Sequence, residues 1–81
     1  MNLSELIRNQ RLAKGLTQSQ VAKALGYESS MAVSLMEKGS MKVPPGKLGA
    51  ICKLLNISAE QVIKGMVRDY EAALRKEIAN L

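Results

Sequence analysis

The side chains that most often perform catalysis are scarce in this sequence. Its 81 residues include no histidine and a single cysteine, Cys52, so neither an imidazole base nor a cluster of thiolate metal ligands is available. The carboxylates are scattered, none shares a motif with a nucleophile, and no glycine-rich phosphate loop is present. The sequence therefore predicts a protein that is not an enzyme and that holds no cofactor and no metal.

Binding of a polyanion is the chemistry that the charged residues favour. The net charge is +5, and all of the excess lies in the first part of the chain. Up to Lys53 there are eight basic and three acidic residues, whereas after Lys53 there are four of each. This distribution predicts a polyanionic partner for the front of the chain and a different partner for the tail. A solubilising surface charge is the alternative that charge alone leaves open.

Cysteine use and hydropathy favour a cytoplasmic protein. Cys52 has no second cysteine to pair with and lies among apolar residues, so we expect a reduced side chain in the core. No apolar run approaches the roughly 20 residues that span a bilayer, and the N-terminus, MNLSELIRNQR, lacks a secretory pattern. The sequence thus predicts no membrane association.

Two short helices joined by a tight turn are predicted between Thr17 and Gly39. Thr17 and Gln20 have the spacing of a capping box, and Gly26 can adopt the left-handed conformation that ends a helix. Ser29 is a candidate N-cap for the second helix, whose apolar residues Val33 and Met36 are expected to face inward. Two helices with a glycine-containing connection are the arrangement of a DNA-binding helix-turn-helix.

The segment GLTQSQVAKALGY…SLMEKG resembles the helix-turn-helix (XRE-like) family of phage Cro and repressor proteins and their bacterial relatives. The resemblance runs from about Leu3 to Gly65 and rests on the joint spacing of Arg11, Gly15-Leu16-Thr17-Gln18, Ala22, Leu25-Gly26, Glu37 and Gly39. It implies an all-α, five- or six-helix lambda-repressor-like DNA-binding domain over residues 1–65. Residues 66–81 are then a C-terminal helical extension.

The other helices follow from caps and periodicity. Ser4 is a candidate cap for a first helix from about Glu5 to Lys14. Pro44-Pro45 is expected to open the fourth helix, which Asn56 can end, and Gly49 either weakens that helix or permits close helix–helix approach. Ser58 and Gln61 form another capping box, which opens a fifth helix with Val62 and Ile63 inside. Gly65 is either a break between two helices or a weak point in one.

The resemblance implies which residues contact DNA. Gln18 matches the position at which the second helix meets a phosphate, and the start of the third helix enters the major groove. The residues implied on its outward face are Ser29, Ser30, Met31, Ser34 and Leu35, and the phosphate contacts beyond it are Lys38, Ser40, Lys42 and Lys47.

This outward face departs from the pattern of many relatives, which carry Gln, Asn or Arg there for bidentate contacts with bases. Serine hydroxyls discriminate poorly between bases, whereas Met31 and Leu35 could contact thymine methyl groups. The alternative is that Met31 and Leu35 bind a protein partner, because methionine suits adaptable apolar surfaces. Tyr27 is interpreted as a turn-packing residue, and Glu28 would repel phosphate if it points towards DNA.

Two further predictions concern structure and assembly. The resemblance implies a partly buried ion pair between Arg11 and Glu37, with an exposed surface pair as the alternative. In the tail, a narrow apolar stripe is formed by Val67, Tyr70, Leu74, Ile78 and Leu81. This stripe either packs back onto the domain or pairs with a second chain, and the tail's length and Tyr70 favour the homodimer.

The sequence as a whole predicts a transcriptional regulator that binds double-stranded DNA, a repressor that occupies a palindromic operator as a homodimer. The alternative is a protein-interaction module, antitoxin-like or an adaptor, that keeps the fold and uses its Met31/Leu35 surface or its tail.

Overall fold

The computed structural model describes residues 1–80, and within them the chain is all α-helical with no strand. Five helices follow one another: α1 (Leu3–Ala13), α2 (Gln18–Ala24), α3 (Met31–Lys38), α4 (Pro45–Leu55) and α5 (Ala59–Ala79). This confirms the predicted all-α class with five helices. Leu81, the last residue of the predicted stripe, lies outside the described residues.

The first helix begins earlier than the sequence indicated. Asn2 is its N-cap, and the Asn2 side chain accepts a hydrogen bond from the Glu5 backbone N–H at 2.8 Å. The Glu5 carboxylate accepts in return from the Asn2 N–H. The prediction of Ser4 as the cap was wrong, because the Asn2–Glu5 pair forms a complete capping box that starts two residues closer to the N-terminus.

The helix-turn-helix forms by local chemistry. Thr17 and Gln20 make the predicted capping box at the start of α2, and Gly26, at φ +86°, reverses the chain after it. The N-cap of α3 is Ser30 rather than Ser29, and its side chain makes no capping hydrogen bond. Ser29 instead accepts from the Met31 N–H at 3.4 Å, so both serine side chains remain at the entrance to α3.

The fourth helix starts and ends as predicted but does not use its glycines for close approach. Pro45 is its first residue, and Asn56, at φ +54°, ends it in the left-handed conformation. A Cβ added at Gly49 would meet nothing within 4 Å, so the alternative of close helix–helix contact at Gly49 was wrong.

One aliphatic core joins the five helices, and α1 packs against α3, α4 and α5. The largest of its fully buried side chains are Ile7, Met36, Ile51, Leu55, Val21 and Val33. Tyr27 packs partly buried against this core, as its turn-packing interpretation requires, and so does Cys52.

The fifth helix is continuous through Gly65, which is buried where α5 crosses the start of α1. A Cβ at Gly65 would lie 3.0 Å from the Leu3 backbone nitrogen, so the close approach of α1 favours glycine at this position, and Gly65 does not mark a break. Val62 is buried as predicted, whereas Ile63 is 61% exposed and was wrongly placed inside. Residues 66–80 are all exposed, so the extension does not pack back onto its own domain.

Candidate nucleic-acid interface

The outward face of α3 consists of four neighbouring side chains. Because successive helical residues turn by 100°, Met31, Ser34, Leu35 and Lys38 share one side, while Val33 and Met36 on the other side are buried. Met31 is 67% exposed, Lys38 is exposed, and Ser34 and Leu35 are partly so. This is the surface that the sequence proposed for contact with bases.

A buried ion pair holds α3 against α1. Arg11 Nε donates to Glu37 Oε2 at 2.6 Å, and Arg11 Nη2 donates to Glu37 Oε1 at 3.0 Å. The two side chains are only 10% and 3% exposed, so the buried arrangement is found and the exposed alternative is not. The guanidinium also donates to the Leu16 carbonyl at 2.9 Å. The hydrogen bond from Arg11 to Glu37 raises the arginine pKa, in opposition to the effect of burial.

Gln18 belongs to the same network. Its side-chain Nε2 donates to Glu37 Oε1 at 3.1 Å, so Glu37 joins the start of α2 to both α1 and α3. An amide nitrogen carries two hydrogens, and the second can donate to a phosphate. Sequence reasoning gave Gln18 a contact with DNA but missed this internal bond, because the two residues are 19 positions apart.

Lys47, one of the implied phosphate contacts, also makes contacts within the protein. Its Nζ donates to the Leu25 carbonyl at the end of α2, at 2.6 Å, and lies 5.2 Å from the centre of the Tyr27 ring. These contacts hold the lysine against the turn of the helix-turn-helix. Its ammonium group therefore stabilises the turn, and because that group has three hydrogens to donate, the phosphate contact implied for Lys47 stays a prediction.

The other implied contacts are on the surface. Ser29, Lys38, Ser40 and Lys42 are exposed, and neither lysine forms an ion pair within the described residues. Ser29 and Ser30 line an open cleft of about 430 Å³ between α2 and the turn that leads to α3, together with Ser19, Ala22, Lys23, Tyr27 and Glu28. The arrangement can present hydroxyl groups and apolar atoms to a groove, with ammonium groups at its far end.

Comparison with known proteins agrees with this geometry. The sequence profile of the helix-turn-helix family matches residues 7–62, from α1 to the first turn of α5. The chain belongs to this family. Because the family is the XRE type of DNA-binding regulators, the match confirms the resemblance and the fold class.

A second similarity covers a small part of a much larger protein. Over 64 residues the chain is 39% identical to UvrABC system protein B of Helicobacter hepaticus (strain ATCC 51449 / 3B1). The matched segment is 79% of this chain but only 10% of that protein. No solved structure gives a significant match.

The described residues provide neither a membrane span nor a metal-binding cluster. No helix in residues 1–80 combines the length and hydropathy that a bilayer crossing requires. The same residues contain no group of three or more His, Cys, Asp or Glu side chains that could hold a metal ion.

Proposed function

We propose that this helix-turn-helix protein is a transcriptional repressor that binds double-stranded DNA through α3 and occupies a palindromic operator as a homodimer. The observation that carries the proposal is the exposed α3 face, held in place by the buried Arg11–Glu37 pair. A helix presented in this way fits the major groove. Such a protein acts where the chromosome is, in the cytoplasm of a bacterial cell.

Each part of the interface has its own task. Gln18, Lys38 and Lys42 bind phosphates and fix the orientation of the protein on the duplex. Ser29, Ser30 and Ser34 hydrogen-bond base edges, and Met31 and Leu35 contact thymine methyl groups. With only short side chains at the bases, we propose modest sequence discrimination within one half-site.

A homodimer compensates for modest discrimination, because it reads two half-sites at once. The stripe residues Val67, Tyr70, Leu74 and Ile78 are exposed in the single chain, with Val67 at 58% and Tyr70 at 67%. A second copy that covers Val67, Tyr70 and Leu74 sets two α3 helices about 34 Å apart, one turn of DNA, on one side of the operator.

The phosphate contacts are tested by the salt dependence of binding. Each phosphate neutralised lowers the slope of log affinity against log salt by about one. Anisotropy of a labelled duplex should therefore show a slope that is less negative by about two in the double variant Lys38→Ala/Lys42→Ala. The matched control, Arg68→Ala/Lys76→Ala, removes the same charge from α5 and should retain the slope. Equal slopes in the two variants would contradict the assignment of Lys38 and Lys42.

A protein partner is the second candidate for the α3 face, and the exposure of Met31 favours it. If this face binds protein and not DNA, the chain has no measurable affinity for random duplex at low salt. Selection of bound sites from random duplexes distinguishes the two, since a DNA-reading dimer enriches a palindrome.

A further inference from the structure

The exposed part of α5 has a residue spacing that can define how two copies meet. Ile63, Val67, Tyr70 and Leu74 follow one another at intervals of four, three and four residues, and their side chains are 38–67% exposed. This spacing is typical of helices that pair along their length. We call these four residues the seam. The seam points away from Val62 and Gly65, which face the core.

We propose that two copies pair their α5 helices antiparallel, in a single register that Lys64 and Glu71 select. The inference rests on the proposed homodimer and specifies its geometry. In this register Ile63 packs against the partner's Leu74, and Val67 packs against the partner's Tyr70. Two-fold symmetry repeats both contacts, so the seam forms four apolar layers.

Charge complementarity supports this register. Lys64 and Glu71 directly follow Ile63 and Tyr70, so they lie on the same flank of the seam. In an antiparallel pair, a flank faces the same flank of the other helix, and charges there set orientation. Lys64 therefore comes close to the partner's Glu71, twice in the dimer. On the opposite flank, Met66 faces the partner's Ala73, which keeps that side apolar.

Other arrangements lose these contacts. A shift of seven residues in one direction brings Lys64 against the partner's Lys64, and a shift in the other direction brings Glu71 against the partner's Glu71. A parallel pair places the charged flank against Met66 and Ala73, where neither charge has a partner. Exposed ion pairs are individually weak. A register is nevertheless chosen by the difference in free energy between arrangements, and repulsion between like charges adds to that difference.

Charged residues limit the length of the apolar contact along the seam. One layer beyond Ile63, Glu60 would meet the partner's Glu77, so the apolar contact stops after four layers. The repulsion at these two end positions opposes the two Lys64–Glu71 contacts, and the four apolar layers must outweigh it. Within the single chain Glu60 instead pairs with Lys64 at 3.1 Å, and Glu71 pairs with Arg75 at 3.0 Å. A short seam of this kind gives a dimer of moderate affinity, which a palindromic duplex then strengthens.

Two charge reversals test the register by sedimentation of the full chain. Lys64→Glu puts glutamate at both flank positions, and Glu71→Lys puts lysine at both. Each variant alone should dimerise at least roughly tenfold more weakly than the parent chain, because both contacts become repulsive. An equimolar mixture should dimerise within a few-fold of the parent, since every contact then joins opposite charges. The controls Arg68→Glu and Asp69→Lys change charge equally off the seam and should dimerise like the parent, mixed or alone.

The outcomes separate the register from the proposed homodimer. Circular dichroism of each variant checks that helicity is retained. If Leu74→Glu abolishes the dimer while Lys64→Glu leaves it unchanged, the homodimer stands and the register is overturned. If the parent chain remains monomeric at the highest soluble concentration, the homodimer and the register are both overturned.

Discussion

At the scale of single residues, Gly65 weakens the helix in which it lies but allows two helices to pack closely. Glycine within a helix is about 1 kcal/mol less favourable than alanine. Gly65 lies inside α5, yet an added Cβ there would come within 3.0–3.3 Å of three Leu3 atoms, two of them in the backbone. The close approach of α1 to α5 therefore favours a residue without a side chain.

We expect Gly65→Ala to lower the free energy of unfolding by about 1–3 kcal/mol, because α1 must move away from α5. The matched control is Gly49→Ala, in the interior of α4 with nothing within 4 Å, which should raise stability by about 0.5–1 kcal/mol. Urea denaturation followed by circular dichroism measures both. Two stabilised variants would contradict the close approach.

Residues whose partners are near in sequence were predictable, and residues with distant partners were not. The capping boxes of Thr17–Gln20 and Ser58–Gln61 close over three residues, so spacing alone identified them. Lys47 and its acceptor Leu25 are 22 residues apart, and Gly65 meets a residue at the other end of the chain. No local pattern reports such contacts. Asn2 was missed for another reason: Ser4, two residues later, is also a candidate cap, but only Asn2 has a glutamate three residues after it.

At the scale of helices, the Arg11–Glu37 ion pair fixes the orientation of α3 relative to α1. It joins two helices from residues 26 positions apart, so only the family resemblance predicted it. Gln18 adds α2 to the network. The orientation of the outward face of α3 is consequently fixed by buried contacts on the inner side of the helix. A substitution among these buried residues therefore changes the interface although the substituted residue does not contact DNA.

We expect Glu37→Ala to cost about 3–5 kcal/mol, because it leaves the buried Arg11 guanidinium without its carboxylate. For a domain of this size that corresponds to a melting temperature lower by more than ~10 °C. Glu28→Ala, which removes an exposed carboxylate that forms no ion pair within the described residues, is the control and should change the melting temperature little. Thermal melts by circular dichroism decide it, and an unchanged Glu37→Ala melt would show that the pair is not stabilising.

At the scale of the whole molecule, a compact body carries the excess positive charge and a helical rod extends from it. The molecule measures 43 × 24 × 22 Å, and α5, at 21 residues, is about 31 Å long. The body corresponds to the part matched by the family profile, whereas most of the exposed rod lies beyond it. This separation supports our assignment of DNA contact to the body and of self-association to the rod.

The predictability of the two parts differs for a physical reason. The body has buried apolar faces, so hydrophobic periodicity defined its helices. The rod buries nothing beyond Gly65 in the single chain, so periodicity gave its apolar stripe but left open whether that stripe packs on the body or on a second copy. The structure removes the first alternative, and the charges beside the seam support the second.

The central claim, that the outward face of α3 contacts duplex DNA, is tested most directly by placing a negative charge on it. Anisotropy should compare Ser34→Glu with Ala72→Glu, which adds the same charge to the exposed rod, on a duplex selected by the parent chain. We expect Ser34→Glu to weaken binding at least roughly tenfold, because a carboxylate on α3 is repelled by phosphates and loses the serine contact. Ala72→Glu should bind nearly as the parent does. If both variants bind like the parent, α3 does not contact DNA.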